Sequence, residues 1–153
     1  MAGAKYWANG EQNLSSSTLS AFAITSNAST ANRAWIGEVY FGNEGTPADL
    51  AGTYLFERVT TAGTAGAAVT AGQNDLADRA AQCVTGENYS SEPTVVSNEI
   101  CLEVPMNHRG TYRWVAPPGA EPVLPAVSAD GFRIGSLHAS ATTLFRGGTH
   151  WTE

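Results

Sequence analysis

The sequence predicts an all-β chain: an antiparallel β-sandwich of jelly-roll type, with one short helix near residues 74–83. Three observations predict it. Several segments alternate apolar and polar residues with period two and are rich in β-branched and aromatic side chains, the pattern of half-buried strands. Clusters of Gly, Pro, Asn and Ser break the chain roughly every 8–15 residues, too often for long helices. The stretch 113–125 runs an aromatic strand into Pro117-Pro118-Gly119 and leaves it through a second strand bracketed by Pro122 and Pro125. Proline has no amide hydrogen and a fixed φ, so these two belong at strand ends, bulges or sheet edges.

Taken in order, residues 1–18 are polar, with Asn9-Gly10 and Ser15-Ser16-Ser17-Thr18 as loop signals. They are expected to form an N-terminal arm or irregular segment ahead of a single β-sandwich domain over 19–153. Residues 19–26 alternate weakly and give a first strand; 27–32 is a turn cluster. Residues 35–41 form a convincing strand, broken by 42–47. Residues 53–60 follow, with Tyr54, Phe56 and Arg58 on one face and Leu55, Glu57 and Val59 on the other. These two strands are close enough in sequence to pair as a hairpin. Residues 61–72 are almost all Ala, Gly and Thr, a loop with a brief strand at 67–70.

In 74–83, Asn74 or Asp75 can cap a helix, and Leu76, Ala80 and Cys83 recur at helical spacing. So short a helix depends on packing. After a loop at 85–93 comes the longest strand, 94–104, with Val96, Asn98, Ile100, Leu102 and Val104 on one face. Strands at 111–116, 121–124, 132–139 and 142–146 bring the total to about eight to ten, a count that suits a jelly roll.

Composition narrows the function. At 153 residues the chain is long enough for one domain with its own core. Charged residues make up 14%, well below the usual quarter or so. The net charge is −6, and a phosphate backbone needs a basic surface, so nucleic acid is not an expected partner. The eight basic residues are Lys5 and seven arginines, and arginine is the cation favoured at interfaces. GC-rich coding accounts for the same bias. No apolar run approaches the roughly 20 residues of a membrane span, so no membrane is expected. The first ten residues lack the apolar stretch of a secretory signal, which points to folding in a cytosol. Cys83 and Cys101 are therefore expected reduced and buried.

No reactive constellation stands out. His108, His138 and His150 lie in no zinc-binding spacing and read as ordinary histidines. No nucleophile elbow or phosphate-cradling glycine loop is present. Glu99 and Glu103 on one strand face would sit about 13 Å apart, too far for a glycosidase pair. Glu38 and Glu57 face each other if the hairpin forms, though solvated strand faces explain them more simply. Trp35 and Trp114, inside strands, read as core. Trp7 and Trp151, near the termini, either dock on the body or anchor a neighbouring subunit. The candidate interaction residues are Tyr6, Trp7, Arg109 and Trp151. No catalytic, metal or cofactor site is expected.

The strand Gly37-Glu38-Val39-Tyr40-Phe41-Gly42, with Gly45-Thr46-Pro47-Ala48-Asp49 and Phe56-Glu57-Arg58-Val59-Thr60-Thr61-Ala62-Gly63-Thr64, has a familiar texture. So do Ser91-Glu92-Pro93-Thr94, Asn107-His108-Arg109 and Arg113-Trp114-Val115-Ala116-Pro117-Pro118-Gly119. Over most of 34–135 the chain resembles small virion structural proteins of tailed bacteriophages, the head-decoration (cement) or minor capsid proteins of β-sandwich type. The resemblance implies a protein without catalysis, made in the host cytoplasm. It would form a dimer or trimer and bind the outer surface of a shell of major capsid protein, which it strengthens. An acidic protein suits a surface facing solvent rather than packaged DNA. Two other readings stay open. One is a carbohydrate-binding β-sandwich module, with Tyr6, Trp7, Tyr89, Tyr112 and Trp151 as a stacking platform. The other is a tail or fibre component.

Overall fold

The computed structural model describes residues 3–14, 18–137 and 143–153. In chain order its strands are Lys5–Asn13 (β1), Leu19–Thr25 (β2), Ala34–Glu44 (β3), Ala51–Val59 (β4), Ala67–Val69 (β5) and Gly72–Gln73 (β6). Then come Val84–Glu87 (β7), Val95–Asn107 (β8), Thr111–Val115 (β9), Val123–Leu124 (β10), Gly131–Leu137 (β11) and Leu144–Thr152 (β12). They form two six-stranded sheets. The front sheet has the order β10-β3-β12-β1-β6, with β9 also pairing β3; the back sheet is β5-β7-β2-β11-β4-β8. Every pairing is antiparallel.

The two sheets share one core because alternate residues of each turn inward. From the front come Tyr6, Ile36, Val39, Phe41, Phe145 and Trp151; from the back come Phe22, Ile24, Tyr54, Phe56, Phe132 and Ile134. Aromatic rings tie the layers together. Phe41 stacks on Tyr54 with centroids 5.5 Å apart, and Tyr54 meets Phe145 at 5.2 Å. Within the back sheet, Phe56 stacks on Phe132 at 4.9 Å. Such pairs add about 0.5–1.5 kcal/mol each beyond the area they bury.

The Pro-bracketed turn has the shape its residues require. The Ala120 N–H donates to the Pro117 carbonyl, with Pro118 and Gly119 between them. Gly119 has φ +83°, the value a type II turn needs at its third residue. Pro122 and Pro125 flank β10, at strand ends.

Several expectations are corrected. No helix forms at 74–83, nor anywhere among the described residues. The Asp75 Oδ1 accepts from the Ala77 N–H, and the Gln73 side chain donates to the carbonyls of Asp78 and Arg79. These local bonds take the groups a helix would use. Leu76, the intended anchor, is 89% exposed, so no packing rewards a helix. The arm expected at 1–18 is instead mostly β1, an interior strand between β12 and β6.

The hairpin of β3 with β4 does not exist: β3 pairs β9, β10 and β12, while β4 pairs β8 and β11 in the other sheet. Crossing between sheets lets Phe41 and Tyr54 meet in the core. Along β8 the alternation expected for 94–104 is broken by register shifts opposite Glu57. Asn98 sits there with φ +65°, so Ile100 is exposed while Leu102 and Val104 pack inward. Cys83 is buried as expected, but Cys101, at the bulge, is exposed; both are free thiols.

Candidate functional site

The two sheets differ on their outer faces, and the difference comes from which loops fold over them. Part of the back sheet is covered by its own chain, although Val84 on β7, Val95 and Ile100 on β8 and Leu137 on β11 stay exposed. The segments 60–66 and 88–94 hydrogen-bond to each other, Thr60 N–H to the Thr94 carbonyl and Thr64 N–H to the Ser91 carbonyl. They carry Tyr89, itself buried, to the backbone of Ala23. Beneath lie residues that strand alternation points away from the core, yet they are buried: Ala23, Glu57, Val59 and Arg133. Arg133 donates Nη2 and Nε to the Glu57 carboxylate at 2.7 and 2.9 Å, and Nη1 to Ser20 Oγ at 3.3 Å. Glu92 of the covering loop reaches the same guanidinium at 3.4 Å.

Among the described residues the front sheet has no such cover. Its outward residues form rows across β1, β12, β3 and β9. One row reads Trp7, His150, Glu38, Val115; the next reads Asn9, Gly148, Tyr40, Arg113; a third reads Glu11, Arg146, Gly42, Thr111. Trp7 is 43% exposed, Val115 55%, and Trp35, one strand position beyond the first row, 40%. Two of the aromatic rings lie flat because the neighbouring strand offers glycine. A Cβ on Gly72 would collide with the Trp7 indole, and one on Gly148 with the Tyr40 ring.

Ion pairs hold the charged members in place. Arg113 grips Glu38 with two nitrogens, the Nη2 contact being 2.9 Å. This fork holds the Glu38 carboxyl below its ordinary pKa. Arg146 pairs with both Glu11 and Glu44. Beside these pairs a hollow of about 550 Å³ opens over Gly42, lined by Tyr40, Tyr112, Arg113, Arg146 and Asn9.

Of the interaction residues expected from sequence, Trp7 alone stands on this face. Tyr6 and Trp151 are on the same two strands but turn inward, 0% and 2% exposed, with ring centroids 5.7 Å apart. The Trp151 indole N–H donates to the Glu153 carboxylate, and the Tyr6 hydroxyl donates to the Arg79 carbonyl. They are core residues and unavailable to a partner. Arg109 is exposed in the β8–β9 loop, away from Trp7, with its Nε 3.4 Å from the Pro47 carbonyl. The stacking platform expected of a carbohydrate module is not assembled either, because Tyr6, Tyr89 and Trp151 are buried.

Sequence reasoning missed Trp35, Tyr40, Val115 and the Glu38–Arg113 pair. A signal was available: on one strand, Ile36 inside requires Trp35 outside. Glu38 and Glu57 lie in different sheets, each with its own arginine, and Glu99 pairs with Arg58 at 3.0 Å. His108 is fully buried in the corner below Tyr54, with ring centroids 6.0 Å apart. His138 lies outside the described residues. Among the described residues no three His, Cys, Asp or Glu side chains gather as a metal site. Comparison with known proteins finds no matching family model, no matching curated protein and no matching solved structure.

Proposed function

We propose that this chain is a non-enzymatic virion structural protein, which oligomerises, binds the outer surface of a phage capsid shell and stabilises it. The observation that carries this reading is the outer face of the front sheet, which presents Trp7, Trp35 and Val115 to solvent. Large exposed apolar side chains rimmed by polar ones mark surfaces that meet another protein. The resemblance to cement and minor capsid proteins supplies the setting, an oligomer bound to a lattice of major capsid protein. Incubation with undecorated heads followed by pelleting tests it. The chain is expected in the pellet at micromolar concentration and at a fixed ratio to shell subunits; a chain that stays in the supernatant refutes the reading.

The jelly-roll fold is part of the same proposal. In its support, β1, β12, β3 and β9 lie side by side in front and β2, β11, β4 and β8 in the back. The chain alternates between sheets from β1 to β4, stays in the back at β8, and alternates again through β9, β11 and β12. Strands β5 to β7 are then an insertion between β4 and β8. Viral capsid proteins and lectins both use this arrangement.

The hollow over Gly42 favours a second reading, a saccharide held against Tyr40 by Asn9 and the two arginines. Tyr40→Ala would then abolish binding to whichever glycan of a broad panel the parent retains. No retention of any glycan removes this alternative.

A further inference from the structure

We propose that the outer face of the front sheet is covered by a second copy of this chain, packed face to face about a two-fold axis running along the strands between β12 and β3. This deepens the proposed oligomerisation and rests on it, though not on the shell.

Three observations point to a self-contact. The first is charge. The outward face carries Lys5, Arg113 and Arg146 against Glu11, Glu38 and Glu44, so it is neutral. The net charge of −6 therefore belongs to the rest of the surface. Two identical acidic bodies repel each other everywhere except through a neutral patch.

The second is the order of residues within a row. A two-fold axis between β12 and β3 sets β1 of one copy over β9 of the other, and β12 over β3. The row Trp7, His150, Glu38, Val115 is its own complement under that operation. Trp7 then falls on Val115 of the second copy, and His150 on Glu38 of the second copy. Self-complementarity of this kind is what an isologous contact requires.

The third is size and cover. Strands of nine, nine, eleven and five residues give a flat footprint of roughly 500 Å², before side-chain relief, from ordinary strand spacing and rise. Over both partners that is about 1,000 Å², the least a specific interface is expected to bury. No loop among the described residues covers this face, whereas 60–66 and 88–94 already cover part of the back sheet.

Sedimentation equilibrium of the chain alone, without heads, tests this. The parent is expected at twice the 16.0 kDa chain mass at tens of micromolar, and Val115→Glu and Trp35→Glu at the single mass. Circular dichroism of both variants should match the parent and their melts should stay cooperative, since both side chains are exposed, with the Tm lowered by the lost association. Leu76→Glu, on a loop outside this face, should remain a dimer. A monomeric parent, a three-chain parent, or a Val115→Glu dimer overturns the proposal. So does protection of this face from hydrogen exchange only when heads are added, which would assign it to the shell. Head binding is scored separately, so a dimer that ignores heads refutes decoration and leaves the self-contact standing.

Discussion

Replacing Arg133 by Met tests whether loops seal the part of the back sheet around it. Arg133 and Glu57 are each 5% exposed, joined by two hydrogen bonds of 2.7 and 2.9 Å. Met fills much of the arginine's volume but leaves the Glu57 carboxylate buried without its cation. Breaking one side of such a pair costs about 3–5 kcal/mol. A domain of this size has about 5–15 kcal/mol in total, and each kcal/mol moves Tm by about 2–4 °C. The expected fall is therefore roughly 6–20 °C. The double variant Arg133→Met/Glu57→Leu removes both charges and should recover part of the loss, ending more stable than Arg133→Met alone. Urea unfolding of the parent, both singles and the double at neutral pH gives the coupling directly. If the two single costs simply add in the double, the pair is solvated and weakly coupled, and the loops do not close this face.

Deleting residues 1–14 is expected to abolish folding, because β1 pairs β12 from Lys5 to Asn13 in the interior of the front sheet; a truncated chain with the parent's circular dichroism and cooperative melt contradicts this. Trp151→Ala should cost about 3–5 kcal/mol and Trp35→Ala less than about 1, by denaturant titration, and the reverse order would invert the assignment of faces. Glu153 gives a pH signature. Burial acts to raise its pKa, but the N–H groups of Cys83 and Gln82 and the Trp151 indole outweigh burial and hold it below the ordinary 4.5. A depressed carboxyl contributes stability above its unfolded value and loses it as pH falls through the folded one. Glu153→Gln should therefore lower stability at pH 7 and flatten the acid limb below about pH 4.5, relative to the parent; parallel acid limbs would show that Glu153 is not held in this way.

Most strands were legible because alternation follows from burying one face of a sheet. In β4, Tyr54 and Phe56 alternate with Leu55 and Glu57, and the strand stands where the pattern placed it. Yet Leu55, Glu57 and Val59 are buried too, since loops distant in sequence cover them, and no local pattern records that. β1 carried a clear alternation, Tyr6, Ala8 and Gly10 inward against Lys5, Trp7 and Asn9 outward, but Asn9-Gly10 also spells a turn. The competing turn signal, set against small inward residues, hid an interior strand. The helix at 74–83 failed for a different reason. Three apolar residues at helical spacing specify nothing unless a core receives them, and Leu76 meets solvent. The contact face was illegible for want of partner strands: Trp7 and Val115 are far apart in sequence and share a row only once β12 and β3 lie between them.

Cryo-electron microscopy of the native particle bears most directly on what this chain does. A decoration protein gives density for two packed six-stranded sheets on the outside of the shell, repeated at symmetry-related positions and missing from particles that lack the chain. Density confined to the tail, or identical particles with and without the chain, contradicts a role on the capsid surface.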